Sequence, residues 1–168
     1  MAKKGSNLLS KKNLVIFSPS IDQGGVEKNL FLITEFLSKR LPNISLITSN
    51  FSDKKKFSKK IKIYTPPKYY WNFRNRLLNN LTCTIILLKL ISSKKKFSLL
   101  SFNANIFATI VAKIFSIKVI VRINTSHKKW STNFFKRFIF KFFLKYPDEV
   151  VVNSRELKKE IDKEFGVN

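Results

Sequence analysis

The chain has 168 residues, enough for one domain with a substantial core and too few for two domains of ordinary size. It carries 33 lysine and arginine residues against 10 aspartate and glutamate residues, a formal net charge of +23. Its single cysteine, Cys83, excludes an internal disulfide and cannot form a metal site alone, so we predict neither a structural disulfide nor a metal or other cofactor.

The positive charge predicts attraction to phosphate-bearing partners such as nucleic acid, anionic lipid or nucleotide sugars. Part of the lysine is explained by composition, since residues with AT-rich codons (Phe, Ile, Asn, Lys and Tyr) make up nearly half of the chain. The shortage of acidic residues is not explained in this way. Nucleic acid is the less favoured partner, because zinc-finger spacing and RNP-like aromatic motifs are missing from the sequence.

The apolar runs are too short to cross a membrane. The longest are "LTCTIILLKLI" and "IFATIVAKIFSIKVIV", and both contain lysine, whereas a span needs about 20 predominantly apolar residues. No signal peptide is recognisable in residues 1–12, which we interpret as a basic N-terminal tail. We therefore expect a cytoplasmic protein, with peripheral contact to the inner face of the plasma membrane as a further possibility.

Six short apolar runs alternate with helix-like stretches and predict an α/β fold. The predicted strands are residues 13–18, 44–48, 61–64, 97–102, 118–123 and 149–153. The predicted helices are residues 26–40, 73–92, 105–116, 133–145 and 155–165. Continuous apolar strands between helices are typical of a doubly wound, Rossmann-like parallel sheet with helices on both faces. We expect the strand order 3-2-1-4-5-6 and a binding crevice at the carboxyl ends of the strands.

An adjacent glycine pair joins the first strand to the first helix. Gly24 and Gly25 are two of only four glycines in the chain. A helix N-terminus offers free backbone N–H groups, and glycine there lets a phosphate or sugar approach the backbone. The pair lacks the spacing of a dinucleotide fingerprint or a P-loop, so a tight structural turn is the alternative.

A resemblance to a known enzyme family is carried by three stretches. They are "GGVEKNLFLITEFLSKR" followed by "ISLITS", then "FSLLSFNANIFATIVAKIFSIKVIVRINTS", then "YPDEVVVNSRELKKEIDKEFGVN". In this order they resemble the N-terminal domain of family-4 (group 1) GT-B glycosyltransferases, which commonly show a GG-x-E loop after the first strand. The resemblance covers residues 13–168 and implies one half of a GT-B architecture.

The resemblance implies the acceptor-side half of a retaining glycosyltransferase. Such an enzyme moves a hexose from a nucleotide sugar, its co-substrate, to a saccharide or lipid-linked acceptor, here in surface polysaccharide synthesis. In the family a second Rossmann-like domain with an E-x7-E element makes most donor contacts, and nothing in residues 13–168 matches it. We therefore expect the C-terminal donor domain to be absent and the chain alone to be inactive. The alternative is a non-catalytic basic α/β module that binds anionic membrane or nucleic acid.

The resemblance also implies several site residues. The GG loop of the family lies in the cleft near the donor diphosphate and the acceptor, a role that falls here on Gly24 and Gly25. The family often has a histidine after the fifth strand, where "VIVRINTSHKKW" has Asn124, with His127 three residues later. Arg122 and Asn124 therefore become acceptor-site candidates, and Asn124 and His127 are the only candidates for catalysis. For His127 an exposed loop position is the alternative.

Two more polar residues follow predicted strands at the expected crevice. Asn103 follows the fourth strand and Ser154 comes shortly after the sixth, so both are acceptor-binding candidates. Serine is also a favoured N-cap residue, and capping of the final helix is the alternative for Ser154.

The predicted helix 133–145 is both basic and aromatic. One face carries Phe135, Phe138, Ile139, Phe142 and Phe143, which we expect to pack on the sheet. A basic amphipathic helix on an anionic membrane is the alternative, with the lysine-rich loop "FSDKKKFSKK" as a second contact.

Overall fold

The computed structural model describes residues 13–21, 25–49, 55–67, 75–93, 96–124, 138–139, 142–143 and 145–165. The strands in this part of the chain are β1 (Asn13–Phe17), β2 (Asn43–Ile47), β3 (Ile61–Tyr64), β4 (Ser98–Ser101), β5 (Val119–Ile123) and β6 (Glu149–Val152). The helices are α1 (Gly25–Ser38), α2 (Arg76–Ser92), α3 (Asn105–Ile114) and α4 (Arg155–Phe165).

The strands form one sheet in the order β3-β2-β1-β4-β5-β6. Every neighbouring pair is parallel, and β1 pairs with β2 on one side and β4 on the other. The predicted fold class and strand order are thus confirmed. The direction of winding reverses between β1 and β4, which is where ligands bind in folds of this kind.

Alternate residues of each central strand face opposite helical layers. Ile16 of β1 belongs to one apolar cluster with Leu30 of α1, while Val15 and Phe17 belong to a second cluster with Leu87 of α2. The second cluster also contains residues of α3 and α4. Helices therefore cover both faces of the sheet, α1 on one and α2, α3 and α4 on the other, as continuous apolar strands require.

The loop that joins β2 to β3 packs against α1, in the place of a crossover helix. Phe57 is only 7% exposed and packs against Phe31 of α1, with ring centroids 4.7 Å apart. Lys56 forms an ion pair with Glu27 of α1 at 3.3 Å. The interpretation of this loop as a membrane contact through its phenylalanine is therefore wrong for Phe57, because the ring fills the core beneath α1.

The segment predicted as helix 133–145 is described at five positions, of which four are helical and the last, Lys145, lies in a turn. Phe138 is 61% exposed and Phe142 is 48% exposed, so these two rings do not cover the sheet as predicted. Ile139 and Phe143 are half-buried. The described part of this apolar face is therefore only partly shielded from solvent, and Phe135 lies outside the described residues. No helix in the described ranges combines the length and apolar character needed to span a membrane.

Candidate functional site

Asparagine side chains connect the carboxyl ends of neighbouring strands. After β4, Asn103 donates through Nδ2 to the carbonyl of Ser20 at 2.9 Å and to Oγ of Ser18 at 3.3 Å. After β5, Asn124 donates to the carbonyl of Phe102 at 3.1 Å, and after β6, Asn153 donates to the carbonyl of Asn124 at 3.3 Å. These bonds hold the loops after β1, β4, β5 and β6 in one arrangement.

A cavity of about 280 Å³ opens at this edge of the sheet. Its wall comes from the start of α1, the first turns of α2, the end of β4, the start of α3 and the end of β5. The lining residues are Val26, Asn80, Phe102, Asn103, Ala104, Asn105, Ile106, Phe107, Arg122 and Asn124. The cavity lies close to the point between β1 and β4 where the winding reverses, which is the predicted position of the binding crevice.

Arg122 brings a buried positive charge to the cavity wall. The residue is 6% exposed, and its guanidinium carbon lies 4.9 Å from the centroid of the Phe102 ring. Its Nη1 is buried and makes no hydrogen bond, and no ion pair to it occurs within the described ranges. Burial lowers the pKa of the Arg122 guanidinium, although arginine remains charged in proteins. The cation–π contact offsets only part of the cost of burying a charge without a counterion.

Asn124, in the same cavity wall, has an unsatisfied acceptor. Its Oδ1 is buried and accepts no hydrogen bond from any described residue. The orientation of the amide is determined, because Nδ2 donates to the carbonyl of Phe102 and a flipped amide would set two oxygens against each other. The cavity wall thus contains one residue with an unpaired donor atom, Arg122, and one with an unpaired acceptor atom, Asn124. A hydroxyl group, which both donates and accepts, is complementary to this pair.

The start of α3 is strained and lacks a side-chain cap. Its N-cap residue, Ala104, has φ 56° and ψ 39°, a left-handed conformation that costs a non-glycine residue about 1–2 kcal/mol. No side chain caps the helix, and its first turn contains no acidic residue. The first residues of α3 line the cavity, so their backbone N–H groups and the positive end of the helix dipole lie at its wall.

Asn105 links the start of α3 to β4 and β5 by hydrogen bonds. Its Nδ2 donates to the carbonyl of Arg122 at 2.9 Å, and its Oδ1 accepts from Oγ of Ser101 at 2.8 Å. The same hydroxyl also lies 2.8 Å from the carbonyl of Asn103. Sequence reasoning missed Ser101, Ala104, Asn105 and Asn80. The only available signal was "SFNAN", where polar residues cluster directly after a buried strand.

Gly25 begins α1, and the next residue, Val26, lines the cavity. A Cβ built on Gly25 would meet nothing within 4 Å, and the backbone there is not left-handed. This chain alone therefore gives no steric reason for glycine at that position. Gly24 and His127 lie outside the described residues.

Ser154 caps a helix. Its Oγ accepts from the backbone N–H of Leu157 at 3.1 Å, the bond typical of an N-cap. The side chain is exposed and is not part of the cavity wall. Of the acceptor-site candidates, the structure therefore brings Asn103, Arg122 and Asn124 together and leaves Ser154 apart.

The described residues offer no nucleophile or metal centre at the cavity. Cys83 is fully buried in the core, and burial raises the pKa of its thiol to about 12, so the reactive thiolate does not form near neutral pH. Within the described ranges no three His, Cys, Asp or Glu side chains lie close enough to hold a metal ion.

Comparison with known families identifies the chain. Residues 23–168 match the model of Glycosyltransferase Family 4. The chain belongs to this family. A comparison with curated protein sequences finds no match. The cavity therefore lies in a glycosyltransferase domain.

Solved structures agree with this fold. The glycosyltransferase chain superimposes on HepE from Anabaena, whose structure contains UDP and glucose, with a TM-score of 0.62 and 10% sequence identity. The match covers 91% of this chain and 41% of HepE. UDP-glucose:anthocyanidin 3-O-glucosyltransferase, solved with UDP, gives 0.46 and 17%, over 68% of this chain and 30% of its own. At 10% identity the likeness to HepE establishes the fold alone, a Rossmann-like sheet that corresponds to part of a GT-B glycosyltransferase.

Proposed function

We propose that this glycosyltransferase domain is the acceptor-side half of a retaining enzyme, and that the cavity beside β4 and β5 binds the acceptor. The enzyme moves a hexose from a nucleotide sugar to a saccharide or lipid-linked acceptor, with surface polysaccharide as the product. The observation that carries the proposal is the pair of unsatisfied buried atoms, Nη1 of Arg122 and Oδ1 of Asn124, at one cavity. Buried polar groups in native proteins are nearly always hydrogen-bonded, so an unpaired donor and an unpaired acceptor on two residues of one cavity wall indicate a ligand that completes them.

The chemistry of this pair suits an alcohol. One oxygen of the saccharide accepts from the guanidinium of Arg122, and a hydroxyl donates to the amide oxygen of Asn124. Asn105 joins the ends of β4 and β5 through Oγ of Ser101 and the carbonyl of Arg122, and the carbonyl of Phe102 fixes the amide of Asn124. An acceptor oriented in this way presents a second hydroxyl toward the start of α1, where open space surrounds Gly25. The donor diphosphate, which we assign to the Gly24–Gly25 loop, would approach from that side.

Transfer activity in the source organism tests the proposal. The chromosomal gene is replaced by an Asn124→Ala or an Asn13→Ala variant, and membranes are assayed for incorporation of radiolabelled hexose from UDP- and GDP-sugars. Asn13 is the matched control, because its Nδ2 also donates to a backbone carbonyl, that of Lys96 at 2.8 Å, but at the amino edge of the sheet. Loss of one ligand hydrogen bond from a buried site predicts about 10–100-fold lower kcat/KM for Asn124→Ala. Equal activity of the two variants contradicts the proposed acceptor site.

The 168-residue chain alone is expected to be inactive. It spans 41% of the length of HepE, and the family resemblance assigns most donor contacts to a second domain. The purified chain is incubated with UDP- and GDP-hexoses, and released nucleotide is quantified by chromatography. Robust hydrolysis or transfer would mean that the donor site lies within these residues.

A second proposal concerns an anionic membrane surface as a partner. Leu77, Leu81 and Ile85 are 55%, 44% and 53% exposed and lie on one stripe of α2. Asp53 and Asp148 are consecutive acidic residues in the sequence, so every formally charged side chain between them is basic. Apolar side chains within an acid-free segment suit contact with an anionic lipid surface.

Vesicle sedimentation tests the membrane proposal. The Leu81→Ser/Ile85→Ser double variant is compared with Leu32→Ser/Phe36→Ser, an equally spaced exposed pair on α1 across the sheet. Partial insertion of two aliphatic side chains predicts about tenfold weaker binding to phosphatidylglycerol vesicles for the α2 variant only. Equal binding of the unmodified protein to anionic and neutral vesicles at low salt would refute the proposal.

A further inference from the structure

The cavity beside β4 and β5 carries positive potential from two separate sources. One is the guanidinium of Arg122, which is 6% exposed and has no carboxylate partner among the described residues. The other is the N-terminus of α3, which begins at a left-handed Ala104, has no side-chain cap and has no acidic residue in its first turn. Both belong to the wall of the same cavity.

From this juxtaposition we propose that the acceptor carries an oxyanion, a carboxylate or a phosphate on its saccharide, and that this group binds between Arg122 and the first turn of α3. The inference rests on the proposed function, since it names the chemical class of the acceptor for the same cavity. A neutral hydroxyl would satisfy Nη1 of Arg122 but would leave the desolvated charge without a counterion. An oxyanion satisfies both, because charge-assisted hydrogen bonds to a guanidinium and to free helix N–H groups are the stronger kind.

The rest of the wall explains how such a ligand is oriented. Oδ1 of Asn124 is an acceptor and repels an oxyanion, so the anionic group is directed toward α3 and a hydroxyl toward Asn124. A saccharide whose acidic group is separated from a hydroxyl by a few bonds meets both requirements. The ring of Phe102, whose centroid lies 4.9 Å from the guanidinium carbon, limits the space in which Arg122 can move.

Direct binding to the 168-residue chain tests the inference, with glucuronate, glucose 6-phosphate, glucose and UDP as separate probes in calorimetry at 0.15 M salt. The first two represent a sugar carboxylate and a sugar phosphate. We expect at least one of them to bind about tenfold or more tightly than glucose. Comparison of the two identifies which oxyanion the site prefers.

Variants separate this site from the general attraction of a chain with net charge +23. Arg122→Met should abolish the preference for the acidic sugars, and Arg122→Lys should restore part of it. The matched control is Arg40→Met, because Arg40 also lies over a phenylalanine ring, Phe36 at 3.5 Å, but on the exposed surface. Arg40→Met should retain the preference in full.

Each possible result has a distinct meaning. If glucose binds as tightly as the acidic sugars and Arg122→Met changes nothing, the anionic acceptor is refuted while the acceptor cavity stands. If none of the three sugars binds at millimolar concentration, both the cavity assignment and the inference fall. If UDP displaces the acidic sugars and its own binding needs Arg122, the site holds donor phosphate, and the inference is overturned.

Discussion

Polar groups differ in burial and pairing between the two ends of the strands, which we call the amino edge and the carboxyl edge of the sheet. At the amino edge the acidic groups of two neighbouring residues are paired: Lys118 binds Glu149 at 2.7 Å, and a carboxylate oxygen of Asp148 accepts from the N–H of Val119 at 2.7 Å. At the carboxyl edge Arg122 is buried without a counterion, and Asn124 keeps a free acceptor. The paired groups at the amino edge stabilise the fold. The unpaired groups at the carboxyl edge destabilise it, which is typical of a site that is completed by its ligand.

The largest expected effect comes from removing the buried charge. Arg122→Met replaces an unpaired, desolvated guanidinium by an apolar side chain of similar length, and we expect the free energy of unfolding to rise by about 1–2 kcal/mol. Arg40→Met, on the exposed surface, should stay within about 0.5 kcal/mol of the unmodified protein. Urea denaturation followed by circular dichroism measures both. A destabilised Arg122→Met protein would show that Arg122 serves the fold and would remove the contrast between the edges.

Both ends of α3 carry a left-handed residue, which allows a comparison within one helix. Ala104 has φ 56° at the cavity, and Ser116 has φ 51° after the exposed C-terminal end. Glycine relieves the strain in both positions, so Ala104→Gly and Ser116→Gly should each add about 0.5–1 kcal/mol of stability. Only Ala104→Gly should also change transfer activity in the membrane assay. If both or neither change activity, the left-handed turn at Ala104 has no special relation to the site.

Gly25 should respond weakly in stability and clearly in function. Since an added Cβ meets no atom of this chain, Gly25→Ala should raise the free energy of unfolding by about 0.5 kcal/mol through the unfolded state. A methyl group in the proposed path of the donor should nevertheless lower transfer activity. Thermal denaturation and the membrane assay, run on one variant, separate the two effects, and full activity would reduce the glycine pair to a turn.

The smallest effect is expected at the amino edge. The hydrogen bond and charge of Glu149 raise the pKa of Lys118, so the pair is fully formed below the unfolded lysine pKa of about 10.4 and is lost as pH rises through the higher folded value. Because both side chains are more than half exposed, Lys118→Gln should shift the melting temperature less than any variant above. That shift should vanish at 0.5 M salt. A large, salt-independent shift would show that polar groups at the amino edge affect stability as strongly as those at the carboxyl edge.

The pattern of apolar runs predicted the sheet correctly because buried parallel strands need continuous apolar residues. Predicted and observed strand limits differ by one residue at most, and the convergence of Asn103, Arg122 and Asn124 followed from the rule that strands end at one edge. The left-handed turn at Ala104 had no signal, because alanine, unlike glycine, does not mark such positions. The contribution of Asn80 to the cavity depends on how α2 packs, which one helix's sequence does not reveal.

Exposure was harder to predict than secondary structure. The periodicity of residues 133–145 fits a helix on a sheet and a helix on a membrane equally well. It therefore does not reveal that Phe138 and Phe142 are exposed rather than packed on the sheet. For Phe57 the error is the opposite one. A phenylalanine among lysines is typical of an exposed loop, but this ring is buried because it packs against Phe31 of α1. In both cases the missing information was the tertiary partner, which pairwise spacing along the chain does not contain.

The position of β1 has a consequence for biosynthesis. Its partner β2 and the next strand, β3, are complete by residue 64, but its other partner, β4, begins only at residue 98. At about 5–20 residues per second, a ribosome leaves that edge of β1 open for seconds. The open edge belongs to a strand whose Ile16 and Phe17 end wholly buried, so the nascent chain exposes an aggregation-prone template until β4 emerges.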